Sequence, residues 1–107
     1  MKKISIIGMG YVGTAMATLV ASTKRGNKYK YFVTGIEQAN KNGQEISRKI
    51  NSGILPMQIN DNNFKNKFFF ATQKKKNLIC SNSIKDIKGS KIVIVSINCD
   101  LKKKKKL

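Results

Sequence analysis

Gly8, Gly10 and Gly13 fall within six residues, in the order G-M-G-Y-V-G, directly after the apolar Ile4, Ile6 and Ile7. Glycines at that spacing suit one task, the holding of phosphate by backbone. Gly8 permits a tight turn out of a strand, Gly10 lets a pyrophosphate approach the main chain, and Gly13 lets helix and strand pack closely. The phosphates would then meet unpaired N–H groups at the positive end of a helix dipole. The flanks supply those elements. Ile4, Ile6 and Ile7 form a β-branched run typical of a strand covered on both faces of a parallel sheet. Ala15, Met16, Leu19 and Val20 follow at helical spacing.

The same stretch has a rival reading as a secretory leader. Met1-Lys2-Lys3 is a basic start, Ile4 to Ala21 is largely apolar, and Ala17 and Ala21 are small. Three glycines in six residues would weaken a leader helix and are idle in one. The glycine turn explains them and is preferred, so no membrane segment is expected.

Residues Lys30 to Glu37 (K-Y-F-V-T-G-I-E) read as a second strand ending in an acid, two dozen residues past Gly13. A dinucleotide fold places a carboxylate there against the adenosine ribose hydroxyls. Glu37 in that position favours NAD and repels the 2′-phosphate of NADP, while nearby Lys41 leaves some room for NADP. Gln38 to Ile50 then reads as a helix ended by Asn51-Ser52-Gly53, with Pro56 beyond. Asn60 or Asp61 caps a further helix carrying Phe64, Phe68 and Ala71, and the Phe68-Phe69-Phe70 cluster is expected to pack against the sheet. Leu78 to Ser81 reads as a third strand. Ser83-Ile84-Lys85-Asp86 fits a capping box opening a brief helix that stops at Gly89. Lys91 to Ile97 (K-I-V-I-V-S-I) reads as a fourth strand at the centre of a parallel sheet. Strands alternating with helices specify an α/β class. The fold expected is a Rossmann-type parallel sheet with flanking helices, an incomplete dinucleotide-binding domain over residues 1–101, followed by a Lys-rich tail at 102–107.

The segments I-S-I-I-G-M-G-Y-V-G-T-A-M-A, T-G-I-E and N-S-G-I-L-P, in that order, resemble the nucleotide-sugar dehydrogenases. These enzymes act on UDP-glucose, UDP-N-acetylmannosamine, UDP-N-acetylglucosamine or GDP-mannose. The resemblance covers residues 1–100 and implies that Gly8, Gly10, Tyr11, Val12 and Gly13 line the NAD pyrophosphate and that Glu37 holds the adenosine ribose. It implies oxidation of a sugar C6 alcohol to a carboxylate in two NAD-dependent steps, through a cysteine in a later domain. It further implies a cytoplasmic location, a nucleotide-sugar substrate, and homo-oligomers for the full-length family though not for this chain. Ile97-Asn98-Cys99-Asp100 stands where many members have a V-P-T-P-like segment. The later G-G-S-C-x-P-K-type segment has no counterpart among the 107 residues. The expectation is therefore a truncated N-terminal portion that does not complete the oxidation alone.

The remaining composition sharpens this. A length of 107 residues allows one domain at most, and 40% hydrophobic content is enough for a core. There is no His, which excludes a His-based general base or His-rich metal site, and no metal site is expected. Cys80 and Cys99 are too few for a disulfide scaffold and lack a His partner, so neither is assigned catalysis. Cys80 is expected to be a small core residue. The formal charge of +17 first suggests nucleic acid or an anionic membrane. Only part of it sits in the run Lys102 to Lys106, and Lys, Asn and Ile are abundant together, as A/T-rich codons would make them. Nucleic acid is therefore not the expected partner. The alternatives are a half-domain of another dehydrogenase family, or a vestigial Rossmann-like basic module that does bind nucleic acid.

Overall fold

The computed structural model describes residues 1–97. Asn98, Cys99, Asp100 and the lysine run Lys102–Lys106 lie outside the described residues, as does the expected boundary at residue 101. In chain order the elements are β1 (Lys2–Ile7), α1 (Tyr11–Ala21), a small hairpin of β2 (Lys24–Arg25) and β3 (Lys28–Tyr29), β4 (Tyr31–Ile36), α2 (Lys41–Asn51), α3 (Asn62–Phe69), β5 (Leu78–Ser81) and β6 (Ile92–Val95). One π-helical turn, Phe70–Lys74, extends α3, and one 3-10 turn, Ile84–Ile87, leads from β5 to β6.

The main sheet has the order β5-β4-β1-β6, and every pairing is parallel. The chain thus steps outward from β1 through β4 to β5, then returns to the far side of β1. The strand order reverses between β1 and β6, and in open α/β sheets ligands bind at that switch point, beyond the carboxyl ends of the strands. Register puts Ile4 and Ile6 beside Val33 and Gly35, then Leu78 and Cys80, all on one face. Onto that face pack Ala17 and Ala21 of α1, Ile50 of α2, and Phe68 and Ala71. The expected α/β architecture with helices flanking a parallel sheet is present.

Local chemistry accounts for the boundaries. The α1 face buried on the sheet is made of small residues, Gly13, Thr14, Ala17, Thr18 and Ala21. Leu19, expected among the inward positions, is 54% exposed instead. Small side chains bring the helix close, and the buried hydroxyls remain satisfied, Thr14 donating to the Met9 carbonyl and Thr18 to the Thr14 carbonyl. Helix α2 begins at Lys41 rather than Gln38 because Asn40 caps it, its Oδ1 accepting the Gly43 N–H at 2.7 Å. At its other end Gly53 sits at φ +78°, with Gly53 N–H on Ile50 O and Ile54 N–H on Lys49 O, a Schellman closure. Asp61, not Asn60, caps α3 through the Phe64 N–H.

Three expectations need correction. Of the three phenylalanines, only Phe68 enters the core; Phe69 and Phe70 are exposed, because consecutive helical residues point about 100° apart and cannot share one face. The capping box does not form: Ser83 makes no side-chain cap, and Asp86 instead accepts from the Ser81 hydroxyl, which itself accepts the Ser83 N–H. Strand β6 is an edge strand among the described residues. Among the described residues it pairs with β1 alone, and Val93 and Val95 are exposed. An unbroken apolar run reports a preference for cover on both faces, whereas position in the sheet is decided by long-range pairing. The strand expected over Lys30–Glu37 is present as Tyr31–Ile36, and the β2–β3 hairpin before it is an addition that no pattern signalled.

Cys80 is buried, as expected, with its Sγ 3.2 Å from the Ser47 hydroxyl. Burial pushes its thiol pKa up from 9.0, the nearby Glu37 charge adds to the rise, and the Ser47 hydrogen bond opposes it. The folded chain therefore keeps the proton to higher pH than the unfolded chain, so stability contributed by this group is lost as pH rises above about 9. Cys80→Ala should flatten the alkaline decline in stability, read as the slope of unfolding free energy against pH. Lys76 alone among the described non-glycine residues has a positive φ, at 57°. Lys76→Gly relieves that conformation and should raise stability by about 0.5–1 kcal/mol in denaturant melts.

Candidate functional site

The site is built where three stretches of backbone meet with no room between them. Gly8, at φ +96°, turns the chain out of β1, and a Cβ there would lie 2.3 Å from the Ser96 carbonyl oxygen. A Cβ on Gly13 would lie 1.8 Å from the Gly8 carbonyl oxygen. The Gly8 N–H donates to Ile36 O at 2.8 Å and the Ser96 N–H to Ile7 O at 2.7 Å, so the turn is wedged between the ends of β4 and β6. Gly10 is the opposite case: nothing lies within 4 Å of where its Cβ would be. That bare backbone caps α1 with no side-chain hydrogen bond, and no acid occupies the first helical turn. The first-turn N–H groups and the dipole's positive end are therefore directed at open space, the arrangement that receives an anion.

Glu37 ends β4 beside this turn. Its Oε2 accepts the Met9 N–H at 2.7 Å and its Oε1 the Gln38 N–H at 3.1 Å. Each carboxylate oxygen has lone pairs to spare, so the group can accept from hydroxyls while clamping the glycine turn. Met9 is fully buried, its side chain lying over Gly35, where any Cβ would clash with it at 2.5 Å. The turn is thus anchored by a buried side chain below and a carboxylate alongside.

A cavity of about 520 Å³ opens between these groups, lined by Ile7, Gly8, Gly10, Ile36, Glu37, Gln38, Ala39, Asn82, Ile84, Ser96 and Ile97. Its walls are mostly apolar with a few converging polar groups, as small-molecule sites are. Tyr11, Val12 and Gly13 line an adjoining cleft of about 250 Å³ that shares Gly10, Ser96 and Ile97 with it. The structure brings Gly8, Gly10 and Glu37 into one cavity and sets Tyr11, Val12 and Gly13 at its border. Gln38, Ala39, Asn82, Ile84 and Ser96 are additions that the motifs did not signal. Ser96 and Asn82 directly follow strand ends, a position that marks them once the sheet is known. Gln38 and Ala39 line the cavity because Asn40 delays the start of α2, and the Asn82 side chain donates to Gln38 O at 2.9 Å.

Among the described residues no cluster of His, Cys, Asp or Glu could hold a metal ion, and no helix is long and apolar enough to cross a membrane. Cys80 sits in the core behind Ser47 and outside the cavity lining. Cys99 lies outside the described residues.

No protein-family model matches the chain, and no curated protein does. Solved structures do. The NDP-N-acetyl-D-galactosaminuronic acid dehydrogenase of Methanosarcina mazei Go1 superposes with a TM-score of 0.79 at 24% identity, over 91% of this chain and 19% of its own. The UDP-D-ManNAc dehydrogenase of Pyrococcus horikoshii gives 0.67 at 25% identity, over 89% of this chain and 20% of its own. The UDP-glucose dehydrogenase of Pyrobaculum islandicum gives 0.68 at 16% identity, over 91% and 20%. The chain spans about a fifth of the length of each of these proteins. Over about nine-tenths of its length this chain therefore shares the Rossmann-type fold of these nucleotide-sugar dehydrogenases.

Proposed function

We propose that this chain is the NAD-binding portion of a nucleotide-sugar 6-dehydrogenase. The observation that carries this is the single cavity shared by the Gly8–Gly10 turn and the Glu37 carboxylate, at the switch point of the sheet. In this reading the pyrophosphate lies against Gly10 and the first-turn N–H groups of α1, beside Tyr11, Val12 and Gly13. The adenosine ribose hydroxyls donate to Glu37, whose carboxylate is already oriented by the Met9 and Gln38 N–H groups. Ile84, Ala39 and Ile97 offer an apolar wall suited to the adenine. The residues fit the dinucleotide, since the position that must be bare is bare and the acid stands at the ribose end.

NAD, when bound, supplies the hydride acceptor for oxidation at the sugar C6. The described residues supply binding and orientation. Cys80, buried and with its thiol pKa raised, is unsuited to form the covalent sugar intermediate that the family resemblance implies. The sugar chemistry and its nucleotide-sugar substrate therefore belong to residues beyond those described, in this chain or a complementing one. A cytoplasmic setting, where NAD and nucleotide sugars are available, follows from the same reading.

Calorimetric titration tests this. NAD should bind the folded chain saturably, and NADP should bind at least about tenfold more weakly because its 2′-phosphate meets Glu37. Glu37→Gln should weaken NAD by about 10- to 100-fold, the loss expected for hydrogen bonds to a charged group, while narrowing the NAD/NADP difference. Absence of NAD binding to protein with an intact cooperative melt, or a preference for NADP, would contradict the proposal.

A further inference from the structure

The segment after β4 sets a hydrogen-bond donor beside the Glu37 acceptor, and the chain itself decides which way that donor faces. Asn40 Oδ1 accepts the Gly43 N–H at 2.7 Å as the cap of α2. The other arm of the Asn40 amide is therefore Nδ2, a donor, and it lies 2.7 Å from the Gln38 side chain. A donor must meet an acceptor, so the Gln38 atom at that contact is Oε1. The remaining arm of Gln38 is its NH2 group. Gln38 is exposed and lines the cavity, and its Nε2 has no protein partner among the described residues.

The backbone beneath is held in place from several sides. The Gln38 carbonyl accepts from Asn82 Nδ2 at 2.9 Å. It also lies so close to the first turn of α2 that a Cβ on Gly43 would stand 2.0 Å from it. Gln44 Nε2 donates to the Ala39 carbonyl at 3.1 Å. The Gln38 N–H donates to Glu37 Oε1 at 3.1 Å, so carboxylate and amide are tied to one peptide unit. A carboxylate only accepts, and alone it is satisfied by any donor. An acceptor next to a donor asks for more, a group that gives and takes a hydrogen bond at one atom. A hydroxyl does both. A methylene does neither, and a phosphate ester of that hydroxyl has lost the proton to give.

We propose that Gln38 is a specificity-determining residue of this cavity. Its Nε2 donates to the oxygen of the ribose 2′-hydroxyl whose proton Glu37 accepts, and Asn40 holds the amide that way round. The inference rests on the dinucleotide reading above and adds the group that residue 38 reads, a free ribose hydroxyl rather than a deoxyribose.

Calorimetric titration of the full chain with NAD, and with NAD lacking the 2′-hydroxyl of its adenosine ribose, tests it. The unmodified chain should prefer NAD over the deoxy analogue by about 30-fold or more. Gln38→Met keeps the side-chain length without the donor. It should weaken NAD about fivefold and leave the deoxy analogue within about twofold. Asn40→Asp keeps the α2 cap but presents an acceptor to Gln38, which turns the NH2 group away from the ligand. It should lower the preference for NAD by about the same factor as Gln38→Met, with residue 38 unchanged. The added charge weakens both ligands alike and drops out of the ratio. Gln44→Met, which loosens the same segment without touching the Gln38 amide, should leave the preference unaltered. Each variant is compared at an unchanged melting transition. Equal losses of both ligands in Gln38→Met, or an unaltered preference in Asn40→Asp, would overturn the inference while NAD binding by the unmodified chain left the dinucleotide reading standing. No NAD binding by that chain with an intact cooperative melt would overturn both.

Discussion

The whole arrangement depends on the space that Gly8 and Gly13 do not occupy. At the end of β1 the turn, the start of α1 and the backbone after β6 approach so closely that a Cβ on Gly13 would sit 1.8 Å from a carbonyl oxygen, and one on Gly8 2.3 Å from another. Backbone atoms cannot yield as flexible side chains can, so a methyl group at either place has to move whole elements. Because that contact exists, α1 is aimed with its amino end at the carboxyl edge of the sheet, and β6 can take its place on the far side of β1. Because β6 is there, the strand order reverses beside the turn and a cavity opens at the reversal. The small buried face of α1 and the fit of Met9 over Gly35 serve the same close approach.

The molecule carries a formal charge of +17, yet the cavity at the glycine turn presents an acid and backbone amides. The two ends of the sheet therefore offer anions different physics. At the glycine end the positive potential comes from aligned peptide dipoles and orphan N–H groups, effective within the first helical turn. Glu37 limits the charge that this end accepts. At the other end the potential comes from exposed ammonium and guanidinium groups in water, which salt screens within about 10 Å.

Much of this was legible in the sequence, for local reasons. Glycine spacing, the β-branched run before it and the acid after the second strand are short-range constraints, and Gly8, Gly10 and Glu37 do meet in one cavity. The end of α2 at Ser52-Gly53 was equally readable, since a positive φ after a helix selects glycine. What escaped depended on tertiary contact. The Phe68-Phe69-Phe70 run is uniformly apolar, but a helix divides it between core and surface. The K-I-V-I-V run looks central but is an edge among the described residues, because pairing partners are not written in the strand. The hairpin at Lys24–Tyr29 has no alternating apolar pattern, being held by the Tyr29–Phe70 stack across the fold. Gln38, Ala39, Asn82 and Ser96 became visible as cavity residues only when the carboxyl ends of the strands were assembled.

The central claim, that backbone at the glycine turn together with Glu37 holds a dinucleotide, is tested most directly by mapping amide chemical shifts of the labelled chain during titration with NAD. Saturable shifts should concentrate at Gly8 to Gly13, at Glu37 to Ala39, and at Asn82, Ile84 and Ser96, leaving the Lys24–Tyr29 hairpin unchanged. Shifts confined to the hairpin and Lys74–Lys76, with the glycine-turn amides unmoved, would show NAD acting only as an anion on the basic face and would contradict the account.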